Sequence, residues 1–306
     1  MRRRCLDVLQ EMAAADQRLV YIGSDPGAGT MAGMDAVAPG RCLIEGIAEG
    51  HLIGMAAGLA LDGFIPYVNT IATFLTRRCF EQVAVDLCLH NLPVRLIANG
   101  GGVVYAPLGP THEAIEDIAI LRALPRMAVV CPADAEEMEQ VMRQSADWPG
   151  PLYIRIAKGG DPVITRPDEA PLVIGKARLK RAGTDILLVG TGIMTGRALT
   201  AADRLAEQGV SAAVLHMPTV KPLDQDALLA LSADKKLVVT LEEHIRTGGL
   251  GSAVLESLND ARCCKPVLRL ALPDAFPVGY GSQDNQLAVH GLDVGGIVAS
   301  ITAALA

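Results

Sequence analysis

Residues 43–61 read LIEGIAEGHLIGMAAGLAL, in which a short polar turn runs directly into an apolar stretch of small side chains. The spacing predicts a helix over residues 47–61, with Glu49 in its first turn. A carboxylate at that position usually does no more than complement the helix dipole. Glu49 alone therefore carries no functional prediction, and the surrounding sequence must supply the context.

On both sides of this helix, short β-branched or leucine-rich runs alternate with longer helical stretches. The predicted strands cover residues 19–22, 93–98, 127–131 and 152–156, and the further helices cover 75–89, 114–121 and 134–144. After a Gly-, Pro-, Asp- and Arg-rich segment at 158–172 the pattern restarts, with strands at 186–189, 212–215 and 237–240 and helices at 196–207, 225–231, 251–258 and 294–305. This alternation predicts an α/β fold class with two parallel-sheet domains, residues 1–165 and 173–306.

The composition excludes several classes of protein. Half of the 306 residues are hydrophobic, and the net charge of -7 argues against a nucleic-acid partner, which would require clustered Lys and Arg. Gly, Pro or charged residues interrupt every apolar run before the roughly 18 residues of a membrane span, so we expect no membrane partner. Seven cysteines without a C-x-x-C pair favour reduced thiols and a cytoplasmic location.

Six short motifs then occur in a fixed order. They are GIAEGH at 46–51, TFL at 73–75, GPTH at 109–112, LEEH at 241–244, GGLGSA at 248–253 and PDAF at 273–276. Each is weak alone, but together they resemble the transketolase and deoxyxylulose-phosphate synthase family over nearly the whole chain. The resemblance implies a thiamine-diphosphate pyrimidine-binding fold followed by a transketolase C-terminal domain.

The resemblance assigns roles to four residues around the cofactor. It implies that Glu49 hydrogen-bonds N1′ of the aminopyrimidine ring, where an acid supports the proton transfer that activates the cofactor. Phe74 would stack on the same ring, although core packing is the ordinary role of such a residue. His112 would contact the reacting carbonyl and act with Glu49 as a catalytic residue. Asp25, at a predicted strand end, would lie near the cofactor or serve only as a turn residue before Pro.

Four further residues are candidates for substrate binding. Arg77 and Lys158 are the cations available for a substrate phosphate, and solvated surface positions are the alternative for both. His51 either faces the substrate channel or is buried by the neighbouring helix. Leu108 stands where the family has an Asp that contacts an acceptor hydroxyl, and this departure indicates a less hydroxylated acceptor or another pose. The family's cation upstream of GPTH has no counterpart at residues 99–102, so phosphate recognition stays open.

The sequence contains no G-D-G motif, the element with which complete transketolases bind Mg²⁺ and the cofactor's diphosphate. The resemblance therefore implies a separate diphosphate-binding subunit, the N-terminal transketolase half, that supplies the metal ligands in an α2β2 heterotetramer. The expected activity is that of a transferase, which moves a two-carbon ketol unit from a ketose to an aldehyde acceptor. Thiamine diphosphate and Mg²⁺ are the expected cofactors, and this chain itself is expected to bind no metal.

Two other functions remain open at this point. The GIAEGH form also fits decarboxylation of a 2-oxo acid followed by acyl transfer to an aldehyde, as in deoxyxylulose-phosphate synthases. Release of carbon dioxide from the donor would distinguish this chemistry from ketol transfer. A non-catalytic subunit that retains only the fold is the third possibility. The joint presence of Glu49, Phe74 and His112 argues against it.

Overall fold

The computed structural model describes residues 1–24, 31, 33–157 and 159–306. Asp25 and Lys158 lie outside the described residues. The strands are β1 (Leu19–Gly23), β2 (Cys42–Ile44), β3 (Ile65–Ile71), β4 (Arg95–Asn99), β5 (Ala128–Val130), β6 (Leu152–Ile156), β7 (Arg178–Arg181), β8 (Ile186–Gly190), β9 (Ala212–His216), β10 (Thr219–Lys221), β11 (Leu237–Ile245) and β12 (Val267–Leu272). The α-helices are α1 (Arg2–Ala15), α2 (Met34–Val37), α3 (Glu49–Leu61), α4 (Phe80–Gln82), α5 (Asp117–Ala123), α6 (Ala135–Ser145), α7 (Met194–Glu207), α8 (Gln225–Ser232), α9 (Leu250–Asp260), α10 (Gln283–Val289) and α11 (Val294–Leu305).

The strands form two sheets, each dominated by parallel pairs. The first has the order β10-β5-β6-β4-β3-β1-β2, and the second has the order β12-β11-β8-β9-β7. Only the edge strands β10 and β7 run antiparallel to their neighbours within these sheets. The predicted α/β fold class with two parallel-dominated sheets is therefore confirmed. The exact domain limits, 1–165 and 173–306, stay a prediction. Strand β10, from the second half of the chain, pairs with β5 in the first sheet.

Several elements differ from those predicted, among them two helices and one strand. The predicted helix 75–89 is divided into a π-helical turn at Phe74–Arg78, the short helix α4 and a second π-helical segment at Val83–Leu89. The predicted helix 114–121 begins only at Asp117, because Ala114 exchanges backbone hydrogen bonds with Gly102. Strand β3 was not predicted, since Pro66 and Asn69 interrupt its apolar run.

A buried ionic cluster joins the two halves of the chain. Glu137 on α6 accepts from His216 Nε2 at 2.7 Å and contacts Arg178 at 2.5 Å and Lys180 at 3.4 Å. Burial opposes the charge on Glu137, but His216 and the neighbouring cations outweigh it and lower the pKa of this carboxyl group. The cluster therefore couples α6 to β7 and β9 through charges that are removed from water.

Glu243 on β11 makes a second connection between the halves. Its side chain accepts from the Val103 backbone N–H at 2.8 Å and from Gln283 Nε2 at 2.9 Å. A Cβ on Gly102, at φ +72°, would lie only 2.4 Å from the Glu243 carboxyl carbon, so glycine is required there. Burial raises the pKa of Glu243 to about 7.

Replacement of Glu243 by Gln is expected to make stability less dependent on pH. Because the folded pKa lies above the ordinary value, the wild-type contribution is complete in acid and is lost as the pH rises to about 7. When the pH is raised from 5 to 8, the unfolding free energy of Glu243→Gln should rise by about 1–3 kcal/mol relative to that of wild type. Urea titrations at both pH values measure this, with the exposed Glu256→Gln as control. An equal pH dependence in wild type and Glu243→Gln would contradict the assignment.

Among the residues that the structure describes, one stretch, Gln283–Leu305, is long and apolar enough to cross a membrane by length and composition alone. In the structure this stretch is two helices, α10 and α11, separated by a turn at residues 290–293. Three residues of α11, namely Ile297, Val298 and Ile301, are buried in the core of the second sheet. The stretch is therefore a pair of short helices packed on a sheet.

Candidate active site

A cavity of about 260 Å³ lies where strands β1, β3 and β4 end and helix α3 begins. Ligands of open α/β sheets usually bind at the carboxyl ends of the strands. The lining residues are Arg2, Tyr21, Ser24, Ile47, Glu49, Asn69, Thr70, Ile71, Phe74, Asn99 and Tyr105. The sheet topology thus brings Glu49 and Phe74, two of the predicted cofactor residues, into one cavity.

Glu49 is the first residue of α3 and its side chain is 1% exposed. Its Oε2 accepts a hydrogen bond from Arg78 Nη1 at 2.7 Å. Its Oε1 is buried and has no hydrogen-bond partner among the residues that the structure describes. Buried carboxylate oxygens are normally hydrogen-bonded, so this oxygen marks a position at which a ligand donor would be favourable.

Phe74 opens the π-helical turn that follows β3 and lies between two polar side chains. The guanidinium carbon of Arg78 is 4.2 Å from the Phe74 ring centroid, within cation–π distance. The His112 ring is 5.3 Å away, centroid to centroid, at an interplanar angle of 67°. Single π-helical turns are frequent at functional sites, and this one gathers Phe74, Arg78 and His112 beside the cavity.

Two asparagines on the neighbouring strands β3 and β4 contribute polar groups to the lining. Asn99 Nδ2 donates to Asn69 Oδ1, and both residues are buried. Within the described part of the chain, Asn99 Oδ1 is buried without a partner, as is Glu49 Oε1. Two orphaned acceptors and an aromatic ring are suited to a flat heterocycle with N–H donors. The residues present therefore fit the aminopyrimidine that the resemblance implies.

The GPTH loop is shaped by contacts with the second half of the chain. Gly109 has φ +79°, and a Cβ there would lie 2.8 Å from the Tyr280 ring. The loop is closed by a hydrogen bond from His112 N to Gly109 O at 3.0 Å, and His112 Nδ1 lies 2.9 Å from Thr111 Oγ1. Leu108 is 50% exposed beside this turn. His112 and Leu108 thus lie on one loop, and neither residue lines the cavity.

The predicted substrate-binding cations and His51 are placed differently. Arg77 donates to both oxygens of Glu116 and lies 5.8 Å from the Phe276 ring, so its charge already has a carboxylate partner. His51 is exposed on the first turn of α3 and is not among the cavity-lining residues. The roles of Arg77 and His51 in substrate binding remain predictions. Those of Asp25 and Lys158 also remain predictions, since both lie outside the described residues.

Sequence reasoning missed Arg78, Asn69, Asn99 and Tyr105 as residues of the site. Asn99 left a signal, because this polar residue directly follows the predicted apolar strand at 93–98. Asn69 left none, since β3 was not predicted. Tyr105 left none. Its ring packs so closely on Gly100, which has φ +76°, that a Cβ there would lie 2.1 Å from the ring.

Within residues 1–24, 31, 33–157 and 159–306, no group of three or more His, Cys, Asp or Glu side chains could hold a metal ion. Four apolar residues on or near these segments are exposed, namely Ile47, Leu108, Phe276 and Tyr280, at 74%, 50%, 68% and 75%. Ile47 lines the cavity, Tyr280 lies against Gly109 of the GPTH loop, and Phe276 lies 5.8 Å from Arg77. Clustered exposed apolar residues usually mark an interaction surface.

Comparison with known families gives two matches that together cover most of the chain. The model of the transketolase pyrimidine binding domain matches residues 1–160, and the model of the transketolase C-terminal domain matches residues 175–297. The second match contains strands β7 to β12 and ends within helix α11. The first match contains all of the cavity-lining residues.

Similar proteins are of two lengths. The chain is 35% identical to an apulose-4-phosphate transketolase subunit of Phocaeicola vulgatus, over 97% of this chain and 94% of that protein. It is 39% identical to 1-deoxy-D-xylulose-5-phosphate synthase of Syntrophotalea carbinolica, over 96% of this chain but only 46% of the synthase. The chain thus spans about half the length of the synthases it matches.

Among solved structures, one match is described as a split gene transketolase, inactive beta4 tetramer. It superimposes with a TM-score of 0.89 at 34% identity and covers 99% of this chain and 97% of that one. The similarity therefore extends over both sheets and over the whole length of each chain.

Proposed function

The chain belongs to the transketolase family, and from this membership we propose that it is the pyrimidine-binding subunit of a two-chain, thiamine-diphosphate-dependent transketolase. The observation that carries the proposal is the cavity that holds Glu49 and Phe74 together. Glu49 presents one buried oxygen without a partner, and Phe74 presents an aromatic ring beside it. This pair matches the acid and the stacking residue that the cofactor's aminopyrimidine requires.

Three residues of the cavity and His112 beside it have defined tasks in this proposal. Thiamine diphosphate, when bound, supplies a nucleophilic carbon that cleaves the bond next to a carbonyl group. Glu49 holds and exchanges a proton at N1′ of the aminopyrimidine. Phe74 stacks on the ring, and Asn99 Oδ1 is available to accept from its amino group. His112, 5.3 Å from Phe74, donates to the oxygen of the reacting carbonyl.

The partner subunit completes the cofactor site. We assign Mg²⁺ and the diphosphate to a separate N-terminal transketolase chain, which would carry the G-D-G motif that this sequence lacks. Two comparisons support this division: a transketolase subunit of nearly the same length, and a split-gene transketolase structure described as an inactive beta4 tetramer. The exposed apolar residues Ile47, Leu108, Phe276 and Tyr280 are the surface that we expect such a chain to cover, in a cytoplasmic α2β2 assembly.

The proposed reaction moves a two-carbon ketol unit from a ketose to an aldehyde. The apulose-4-phosphate relative supports a phosphorylated sugar among the substrates. In this chain Arg77 is engaged by Glu116, so a substrate phosphate would have to compete with that ion pair or bind elsewhere. The exposed Leu108 offers no hydrogen bond to an acceptor hydroxyl, which favours an acceptor with fewer hydroxyl groups near this loop.

A second function is favoured by a specific observation. Several deoxyxylulose-phosphate synthases are 37–39% identical to this chain, and their chemistry would begin with decarboxylation of a 2-oxo acid. The two reactions differ in one product, because only the second releases carbon dioxide.

The experiment uses the chain assembled with a diphosphate-domain subunit, thiamine diphosphate and Mg²⁺. Xylulose 5-phosphate labelled at C1 and pyruvate labelled at C1 are offered separately with a panel of aldehydes. Label in a product lengthened by two carbons supports ketol transfer. Labelled carbon dioxide from pyruvate, with no transfer from the ketose, would replace the proposal by the decarboxylating reaction.

A further inference from the structure

Arg78 contacts both residues to which the aminopyrimidine is assigned. Its Nη1 donates to Glu49 Oε2 at 2.7 Å, and its guanidinium carbon lies 4.2 Å from the Phe74 ring centroid. One side chain therefore fixes the buried acid and the aromatic ring at the same time. Neither the sequence motifs nor the proposed chemistry gives Arg78 a task.

The position of Arg78 relative to the cavity distinguishes two roles. A guanidinium group is flat and carries N–H donors, so it could occupy the pyrimidine position itself and block the cofactor. However, Arg78 is not one of the cavity-lining residues, whereas Glu49 and Phe74 are. It also binds Oε2 of Glu49 and leaves Oε1 without a partner. The geometry therefore favours support from outside the cavity over occupation of it.

The local backbone explains why Arg78 can reach both groups. Phe74 and Arg78 are the first and last residues of a π-helical turn, which is wider than an α-helical turn. The Arg78 side chain returns over Phe74 and ends at the first residue of α3. At 44% exposure Arg78 remains partly solvated, while Glu49 beneath it is 1% exposed. Arg78 thus closes the solvent side of the buried carboxylate.

We propose that Arg78 is a positioning residue for the cofactor, which holds Glu49 so that Oε1 faces N1′ and holds Phe74 in its stacking orientation. The inference rests on the proposed function. Without Arg78, Oε2 would be a second buried oxygen with no partner, and the carboxylate could rotate away from the cavity. The effect should therefore appear in recognition of the pyrimidine end of the cofactor.

The experiment measures cofactor affinity in the assembled two-chain enzyme with Mg²⁺, for wild type, Arg78→Met and Arg78→Lys. Arg143→Met is the matched control, because Arg143 is a similarly exposed arginine, at 47%, whose ion pairs with Glu11 and Glu139 lie on the surface. Two ligands are titrated, thiamine diphosphate and an analogue in which carbon replaces N1′. Thermal unfolding of each variant reports any general loss of structure.

For thiamine diphosphate, Arg78→Met should raise Kd by about 10- to 100-fold, the range expected for a hydrogen bond to a charged group. For the analogue, which makes no bond to Glu49, the change should be several-fold smaller. Arg78→Lys keeps the charge and should recover part of the affinity. Arg143→Met should match wild type.

Three results would overturn the inference. An unchanged Kd in Arg78→Met would remove the positioning role, and a lower Kd would show that Arg78 blocks the site. An equal loss for both ligands would show a structural effect that does not act through Glu49. Failure of the wild-type assembly to bind thiamine diphosphate would instead refute the proposed function from which the inference proceeds.

Discussion

Glu49→Gln is expected to lower kcat of the two-chain enzyme by at least about 100-fold, the lower range for removal of a general acid–base group. The amide fills the same space at the start of α3, but it cannot exchange a proton with a ring nitrogen. Because the buried side chain keeps its volume and one acceptor oxygen, the chain should still fold and assemble. Initial-rate assays and thermal unfolding of the same preparation separate the two effects.

Glu45→Gln is the matched control for this experiment. Glu45 precedes Glu49 by four residues, is exposed and does not line the cavity. Its replacement should leave the rate close to wild type. Turnover of Glu49→Gln at the wild-type rate would indicate that the chain is a non-catalytic subunit.

Asp117→Asn is expected to cost about 3–5 kcal/mol of unfolding free energy, as when one partner of a buried ion pair is removed. Asp117 accepts from Arg155 Nε at 2.7 Å and from Tyr153 Oη at 2.6 Å. Arg155 also donates to the Glu243 carbonyl of β11 at 2.9 Å. Asparagine would remove the carboxylate that is hydrogen-bonded to the buried guanidinium, at the point where the two halves of the chain meet.

The cost should depend on pH. Burial opposes the charge on Asp117, but the Arg155 guanidinium outweighs it and lowers the pKa of the carboxyl group. The contribution of the ion pair is therefore complete at neutral pH and is lost as the pH falls through this lowered value. Urea titrations at pH 7 and in acid should show the gap between wild type and Asp117→Asn closing. The exposed Asp203→Asn serves as control, and a similarly small cost for Asp117→Asn at pH 7 would contradict the assignment.

Periodicity and alternation were sufficient to predict the class of fold. The strand at β6 was predicted at its observed limits. The pairing of β10 with the first sheet could not be predicted, because a three-residue antiparallel contact between distant segments leaves no periodic signal. Fold class follows from local patterns, whereas the addition of β10 to the first sheet depends on tertiary packing.

The site was predictable only in part. Motifs identified Glu49 and Phe74, and the structure places both in one cavity. Arg78 was missed because a helical period of 3.6 residues predicts a continuous helix over 75–89, in which the π-helical turn is invisible. The ion pair between Arg77 and Glu116 was missed for another reason, since it joins residues from separate elements.

The most direct measurement of the central claim is turnover by each chain alone and by the two together. This chain, a diphosphate-domain chain and their equimolar mixture are each assayed for two-carbon transfer with thiamine diphosphate and Mg²⁺. We predict activity only in the mixture, with a linear rise to a plateau as one chain is titrated into the other. Activity from this chain alone would contradict the account, because the diphosphate and metal ligands would then have to lie within it.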